Sequence, residues 1–531
     1  MGTAERKLQG LPIGIQTFEK LRNMGKLYVD KTSHLVRLAE AETSVFLARP
    51  RRFGKSLTLS TLSAMFSGKA ELFQGLAAEA WVAKQAEHPS PVLRFDMSAL
   101  SAYSSGEALD RSLVDGLENF ALMHGLELSG GNSCGAMLQR TVQTLYRAGG
   151  PVVVLIDEYD HPILDNIGDP EKAEEMRMVL RSFYTVLKSC DEYLRFVMLT
   201  GISRFSKVGV FSAMNNLRDI SMSGQYGDIV GYTQEELERD FAGWLDCAAE
   251  KMKLAREELL ERTRSYYDGF CFDGVTRLYN PFSVMSFLNA QEFGNYWYES
   301  GSPSFIVTWM RRHGIGEPED FRHIRVSADF VSSREIERAK PESFLYQAGY
   351  LTIESREEQE LTLDYSNREV LNSISRMYLE NVYGVEGCTP LGSNLWRALR
   401  SGDVAEAVRL YNTALAGIPY EDFRDMKESF YRSAFLMLLR GAGITANGEV
   451  HTARGRSDVL VQFPDRVVVL EFKVAKTAGD VERLSGEGRR QILDKGYARP
   501  FDDGGRALTA AVIVVNATAH EATAQVTGNR Q

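Results

Sequence analysis

Three sets of residues have types and spacings suited to chemistry. The first is Gly54-Lys55-Ser56, between the apolar run Val45–Ala48 and a helical pattern with Leu57, Leu62, Met65 and Phe66 on one side. Strand, loop, GK[ST] and helix is the layout of a phosphate-binding loop. Backbone N–H groups and the helix N-terminus face the anion, the lysine reaches the β/γ-phosphates, and the serine hydroxyl ligates Mg²⁺. Arg49 holds the position of the usual first glycine, so the motif is incomplete and needs support elsewhere. Arg51 and Arg52 either supply extra phosphate charges or form a solvated basic edge. The second set is Asp157-Glu158, at the end of the apolar run in Pro151–Asp160. At a strand tip beside a phosphate loop, the Asp holds Mg²⁺ and the Glu polarises the attacking water. The alternative is a strand that simply meets solvent. Thr200 ends a further run, Tyr193–Thr200, and Arg204 follows as a candidate γ-phosphate sensor or a plain surface arginine.

The third set lies in Gly455–Val474, GRSDVLVQFPDRVVVLEFKV. Two β-branched runs flank Pro464-Asp465, which reads as a hairpin. Glu471 and Lys473 are two apart, so on a strand they leave the same face. A turn centred between Pro464 and Asp465 sets Asp458 directly across from Glu471, with Cβ atoms about 5 Å apart. A loop of odd length breaks that opposition. Carboxylates so close repel unless a positive charge lies between them. A divalent metal answers that need, with Lys473 beside it to stabilise a pentacovalent phosphate or position water. Glu428, near the start of the helical stretch Lys427–Arg440, is a further candidate ligand, and Glu449 is its rival. Gln491, on a later helix that Gly496 ends, either contacts the scissile strand or caps the sheet. A surface hairpin with a salt bridge is the alternative for the whole set.

The pattern also names the elements that must position these groups. Strand candidates at Val45–Ala48, Pro91–Met97, Pro151–Asp160 and Tyr193–Thr200 alternate with helical stretches, including one over roughly 107–147 and one over about 171–189. Such alternation predicts a parallel sheet covered on both faces. Ligands then bind at the carboxyl ends of the strands, where Gly54, Asp157 and Thr200 converge. The aromatic stretch Arg277–Ile306 reads as core rather than a stacking platform. Residues 342–370 read as a helix and two strands, either a winged-helix-like module or a small helical linker, with an acidic turn that disfavours DNA contact. The tail Asn516–Gln531 lacks apolar periodicity and is expected to be disordered.

A chain of 531 residues exceeds one core, so two to four domains are expected. Its net charge of −10 argues against non-specific nucleic-acid binding by the whole surface, though not against a local basic groove. The five cysteines are scattered without a CxxC, which suits reduced thiols better than a disulfide or zinc framework. With no apolar signal core or membrane-length run, the expected location is the cytoplasm.

Taken in order, YVDKT (28–32), RPRRFGKSL (49–57), LIDEYDHPI (155–163), LTGISRFS (199–206), LYNPFSV (278–284), YQAGYLTI (346–353), GRSD (455–458), LEFK (470–473) and QILDKGYA (491–498) cover nearly the whole chain. Together they resemble the prokaryotic family that joins an AAA-ATPase-like domain to a C-terminal PD-(D/E)XK nuclease-superfamily domain. In that family RPRRFGKS is the loop's own form, so Arg49 is no private defect. The resemblance implies a P-loop ATPase core and a restriction-endonuclease-like nuclease core. With the patterns above, the expected chain is α/β, with a P-loop, AAA-like parallel-sheet domain over 1–300, a helical or winged-helix-like part over 301–385, and a restriction-endonuclease-like α/β/α domain over 386–531, disordered from about 517. The resemblance also implies Lys55, Ser56, Asp157 and Glu158 as nucleotide-site positions, and Asp458, Glu471 and Lys473 as nuclease positions. One branch of the nuclease superfamily carries Gln-x-x-x-Tyr on a helix. Here Gln491 and Tyr497 are six apart and would not share a helix face.

The expected function is therefore an ATPase, with ATP and Mg²⁺ as cofactors, controlling a Mg²⁺-dependent nuclease that acts on DNA. A role in mobile-element biology or phage defence is expected, with homo-oligomerisation open and no membrane partner. The competing reading is a nucleotide-switched regulator whose nuclease-like domain only binds nucleic acid or a partner.

Overall fold

The apolar runs of the N-terminal half become β1 (Ser44–Ala48), β2 (Val92–Asp96), β3 (Val152–Asp157) and β4 (Leu194–Gly201), joined by a short exposed edge strand, β5 (Arg218–Asp219). Every residue of β1 and β3 is buried, as expected of strands covered on both faces. Their order is β2-β3-β4-β1-β5, and all the pairings are parallel. β4 thus lies between the strand that feeds the phosphate loop and the strand that ends in Asp157. The computed structural model describes residues 8–100, 104–128, 131–204, 216–299, 304–313, 317–331, 339–385, 388–418, 427–452, 455–497, 499–501 and 505–530. The chain forms two compact units, Met1–His313 with His323–Glu369, and Gly314–Arg322 with Val370–Gln531.

In the first unit, α1 (Lys55–Phe66) follows the phosphate loop directly. The helical stretch expected over roughly 107–147 is two helices, α2 (Gly106–Met123) and α3 (Cys134–Gly149). Ser133 starts the second, its hydroxyl accepting from the Ala136 N–H, and Gly125 takes a φ of +64° just after the first. Cap and left-handed glycine break one pattern into two helices. α4 (Pro170–Ser189) is capped by Asp169 with proline at its first position, and α5 (Pro281–Ala290) by the buried Asn280, whose side chain accepts from the Phe282 and Ser283 amides.

The expected helix and two-stranded wing are present, with a third strand added. β6 (Ile324–Ser327), β7 (Leu351–Glu357) and β8 (Glu360–Tyr365) form an antiparallel sheet in the order β6-β8-β7, and α6 (Pro341–Ala348) precedes β7. The segment 301–385 is not a unit of its own. Residues 301–313 and 323–369 belong to the first unit, and 314–322 and 370–385 to the second.

The second unit contains α7 (Val404–Leu415), α8 (Glu428–Gly441) and the strands β9 (Ala446–Thr452), β10 (Gly455–Gln462) and β11 (Arg466–Ala475). After these come α9 (Val481–Lys495), β12 (Ala507–Asn516) and β13 (Glu521–Arg530). The sheet order is β13-β12-β11-β10-β9, mixed in direction because β11 and β12 are parallel. One face buries Leu460, Val467, Val469, Val512 and Val514 with Ile492 of α9. On the other face Phe472 meets Phe435 of α8, ring centroids 5.5 Å apart. The tail expected to be disordered from about 517 is instead the edge strand β13. It pairs with β12 from Asn516↔Glu521 to Leu508↔Arg530, and the Asn412 side chain brackets the Ala522 backbone N–H and C=O. Backbone pairing holds a segment that has too few apolar side chains to announce itself.

Candidate functional site: a phosphate loop and an acidic hairpin

The phosphate loop leaves the carboxyl edge of the parallel sheet, where the Arg49 N–H donates to the Gly201 carbonyl at 3.1 Å. Arg52 and Gly54 take φ of +68° and +95°, a region that only glycine enters without strain. No atom lies within 4 Å of where a Cβ on Gly54 would sit, so its requirement is conformational. Lys55 begins α1 and turns back on its own loop, its Nζ donating to the Arg49 and Pro50 carbonyls at 2.9 and 3.0 Å. Burial pulls its ammonium below the ordinary value, while Glu158, Asp157 and Asp160 oppose that shift.

Arg49 explains the missing glycine. Its side chain is 1% exposed, and Nη1 donates to the Ala48 carbonyl at 2.9 Å and the Ser221 carbonyl at 2.6 Å. The guanidinium lies over the Phe272 ring, 4.3 Å from its centroid, and burial lowers its pKa to about 10. Arg49 therefore pins the base of the loop to the segment after β5 and takes no part in lining the cavity.

Asp157 ends β3, 1% exposed, with Oδ1 accepting from the Thr200 hydroxyl at 2.6 Å and the Glu158 N–H at 3.1 Å. Glu158 follows in a left-handed conformation, φ +48°, which swings its carboxylate away from the strand. Burial raises its pKa, with Lys55 and His161 acting against the shift. His161 Nδ1 lies 3.6 Å from its Oε2. Sequence reasoning passed over Asp160. Its Oδ2 accepts from the Ile202 and Ser203 amides at 3.1 and 2.6 Å, and from the Ser203 hydroxyl, which fixes the chain after β4.

These groups surround a cavity of about 400 Å³, within the range for small-molecule sites. Arg51, Arg52, Gly54, Lys55, Ser56 and Glu158 border it. Asp157 and Thr200 do not: they form a buried pair behind its wall, the Thr200 hydroxyl bonded to Asp157 Oδ1. Arg204 does not border it either. Its Nε pairs with the Asp219 carboxylate and its Nη1 lies 3.0 Å from the Met222 sulfur. Most of the rest of the wall is apolar or aromatic, including Tyr28, Leu35, Val230, Tyr232, Phe282 and Met285. The 277–306 aromatics, expected only as core, thus divide. Phe287 is core, while Phe282 and Trp297 line the cavity, Phe282 also carrying the Arg52 guanidinium at 4.8 Å. Lys31, another lining residue, is paired with Glu236 at 2.6 Å. A lysine on carbonyls that a phosphate could replace, and an apolar wall beyond it, fit a nucleotide.

In the second unit, the hairpin closes in the expected register, with Val459↔Leu470 through Gln462↔Val467 paired. The next opposed positions are Asp458 and Glu471. On the other side β9 and β10 pair Ser457↔Val450 and Val459↔Gly448, so Glu449 falls across from Asp458. Three acids thus stand in a row across three strands.

Asp458 Oδ2 accepts from the Phe472 N–H at 2.8 Å, and Oδ1 accepts from Arg432 Nη1 at 3.0 Å. Glu471 Oε1 accepts from Lys473 Nζ at 2.8 Å, but Oε2 is buried with no hydrogen-bond partner. Burial, and next Asp458, push the Glu471 carboxyl up to about 7 against the pull of Lys473. Burial also raises Glu428, at the start of α8, with Lys473 lowering it and Asp458 raising it. For Lys473, burial works against the charge and is outweighed by Glu471, Glu428 and Asp458, so its pKa is raised. A buried carboxylate oxygen without a donor, a second carboxylate alongside and a lysine next to both fit a divalent cation.

Gln491 lies on α9 and donates from Nε2 to the Tyr497 hydroxyl at 3.1 Å. Gly496, φ +60°, ends the helix and folds Tyr497 back. The two side chains therefore meet although six residues separate them. This bond, rather than a contact with the acidic row, is what the structure gives Gln491. Arg432 was the missed residue. Its signal was the i,i+4 spacing from Glu428, which puts both on one face of α8.

Residues 12–211 match a family described as "Predicted AAA-ATPase", and residues 426–523 match the PD-(D/E)XK nuclease superfamily. An uncharacterised protein in the vnfD 5′ region of Azotobacter chroococcum mcd 1 is 34% identical over 510 residues, 92% of this chain and 93% of that one. A solved structure of the Aeropyrum pernix Orc1 protein in complex with DNA is 11% identical, covering 81% of this chain and 88% of its own. Its TM-score is 0.26. No helix among the described residues is long and apolar enough to cross a membrane.

Proposed function

Since the chain belongs to the family that joins a predicted AAA-ATPase domain to a PD-(D/E)XK nuclease-superfamily domain, we propose that it is an ATPase coupled to a Mg²⁺-dependent nuclease acting on DNA. At the first site, Lys55 exchanges its two loop carbonyls for the β/γ-phosphates, Ser56 serves the nucleotide's Mg²⁺ directly and Asp157, set behind the cavity wall, through water, and Glu158 orients the attacking water. Arg51 and Arg52 supply positive charge at the cavity rim. At the second site Asp458 and Glu471 hold Mg²⁺, with Glu428 flanking them. The ion would supply a polarised phosphate oxygen and an acidified water. Lys473 carries the charge that builds on the phosphate in the transition state.

One observation carries the nuclease reading: the partnerless, buried Oε2 of Glu471, beside Asp458 and Lys473. The test is cleavage of plasmid DNA with Mg²⁺ and ATP. Asp458→Asn and Lys473→Ala should each abolish it, and Lys55→Ala should remove its dependence on ATP. The second reading, a nucleotide-switched regulator with a silent nuclease fold, draws support from Arg432, which already occupies Asp458 Oδ1. ATP binding that Lys55→Ala removes, without cleavage of DNA or RNA under any divalent metal, would establish that reading instead.

A further inference from the structure

We propose that Arg432 is a latch on the acidic hairpin. Its guanidinium stands where a divalent cation would draw on Asp458, and it is released from that carboxylate when the ion enters, Glu449 keeping hold of it. This rests on the reading of Asp458 and Glu471 as metal ligands.

The arrangement has the parts such a latch needs. Arg432 spans two carboxylates on adjacent strands, Nη1 to Asp458 Oδ1 at 3.0 Å and Nη2 to Glu449 Oε1 at 2.7 Å. The planar fork of arginine suits two acceptors at once, where a lysine would meet them as a point charge. Its side chain is only 14% exposed, so the positive charge serves Asp458 from inside the site. Beside it, the partnerless Glu471 Oε2 is buried and needs a cation that Arg432 does not reach. A divalent ion bound there would sit close to the guanidinium and repel it. Glu449 gives the released arginine a place to stay. Glu449 takes φ +51°, a left-handed turn that sets it apart from the ordinary run of β9, and its other oxygen is held by Arg456 at 2.9 Å. Two guanidiniums on one carboxylate anchor it, so breaking the Asp458 contact leaves Arg432 with a partner.

The latch predicts opposite effects for its two ends, read as Mn²⁺ affinity of the full chain by isothermal titration calorimetry. Wild type and Asp458→Asn are compared first. If both bind the same number of equivalents, the metal-site reading itself fails. If Asp458→Asn loses one equivalent, that reading stands and the latch is tested alone. Arg432→Gln should then bind Mn²⁺ about 10-fold more tightly than wild type, because a competing cation is gone. Glu449→Gln should bind about 3-fold more weakly, because Arg432 keeps only Asp458. Arg432→Lys, which retains the charge and loses the fork, should tighten binding about 3-fold and serves if the Gln variant does not fold. Unchanged or weaker Mn²⁺ binding in the folded Arg432 variants overturns the latch.

Discussion

The phosphate loop and the acidic hairpin are both built to face phosphate, yet the protein satisfies their charges differently. At the loop the cation has partners: Lys55 rests on two backbone carbonyls, and Asp157 on the Thr200 hydroxyl and an amide. Opening that site exchanges hydrogen bonds for hydrogen bonds. At the hairpin, Glu471 keeps one buried oxygen without a donor while Asp458 stands beside it. Placing charge there is unfavourable until a cation arrives, so the second site trades stability for ligand binding and the first does not.

The sharpest way to break this comparison is to remove the lysine. Lys55→Ala should weaken ATP binding by roughly 100-fold or more, because Lys55 is the cation whose Nζ rests on the loop's own carbonyls. It should also cost about 1–3 kcal/mol of stability, since the Arg49 and Pro50 carbonyls it leaves without that donor are buried. A nucleotide titration beside a thermal melt decides this. Retained ATP binding would show that the parked lysine is not the phosphate ligand.

The hairpin predicts a pH effect of opposite character. The Glu471 carboxyl, ordinarily near 4.5, is raised to about 7, so the folded chain binds this proton more tightly than the unfolded chain does. Its contribution is fullest below about 4.5 and is lost as pH rises through 7. The whole shift corresponds to at most about 3 kcal/mol. Glu471→Gln cannot ionise, so with chelator present it should be about 2 kcal/mol more stable than wild type at pH 8 and nearly equal at pH 4.5. Parallel pH profiles for the two proteins would mean that Glu471 is not held at a cost.

Thr200→Val tests the satisfied side of the comparison. The swap keeps the shape and leaves Asp157 Oδ1 with only the Glu158 amide, which should cost about 1–2 kcal/mol of stability and weaken Mg-ATP binding several-fold. A neutral result would separate Thr200 from the site.

How much of this the sequence disclosed follows from where the information lies. β1, β3 and β4 are wholly or mostly buried apolar runs, so composition alone marks them. The Asp458–Glu471 opposition was legible because side-chain parity on a strand is fixed by the turn between the strands, and the observed pairs keep the register set by Pro464-Asp465. The Arg432–Asp458 and Arg49–Ser221 bonds were not legible, since each joins elements whose meeting depends on the whole fold. β13 was missed for another reason. Its stability comes from backbone pairing with β12 and from Asn412 rather than from side chains, and a polar edge strand leaves little periodic trace. The phosphate-loop cavity was legible at its anionic end only. Phe282 and Trp297 read as core because an aromatic on a cavity wall and one in a core have the same sequence signature.

Arg204 supplies the smallest expected effect and the finest distinction between a charge that faces the ligand and one that serves the scaffold. It lies shortly after β4, which ends at Gly201, where a γ-phosphate sensor is one of its two readings. Its guanidinium is instead occupied by Asp219, on the two-residue edge strand β5, and by the Met222 sulfur. That strand has no apolar pattern to announce it, so the partner was invisible from the sequence. The pair is about 29% exposed on each side, and ion pairs so placed contribute about 0.5 kcal/mol. Arg204→Gln should therefore change ATP affinity by less than about twofold and stability by about 0.5 kcal/mol. A tenfold loss of ATP binding would mean that Arg204 leaves Asp219 for the phosphate, and that the first site, like the second, holds an arginine in reserve.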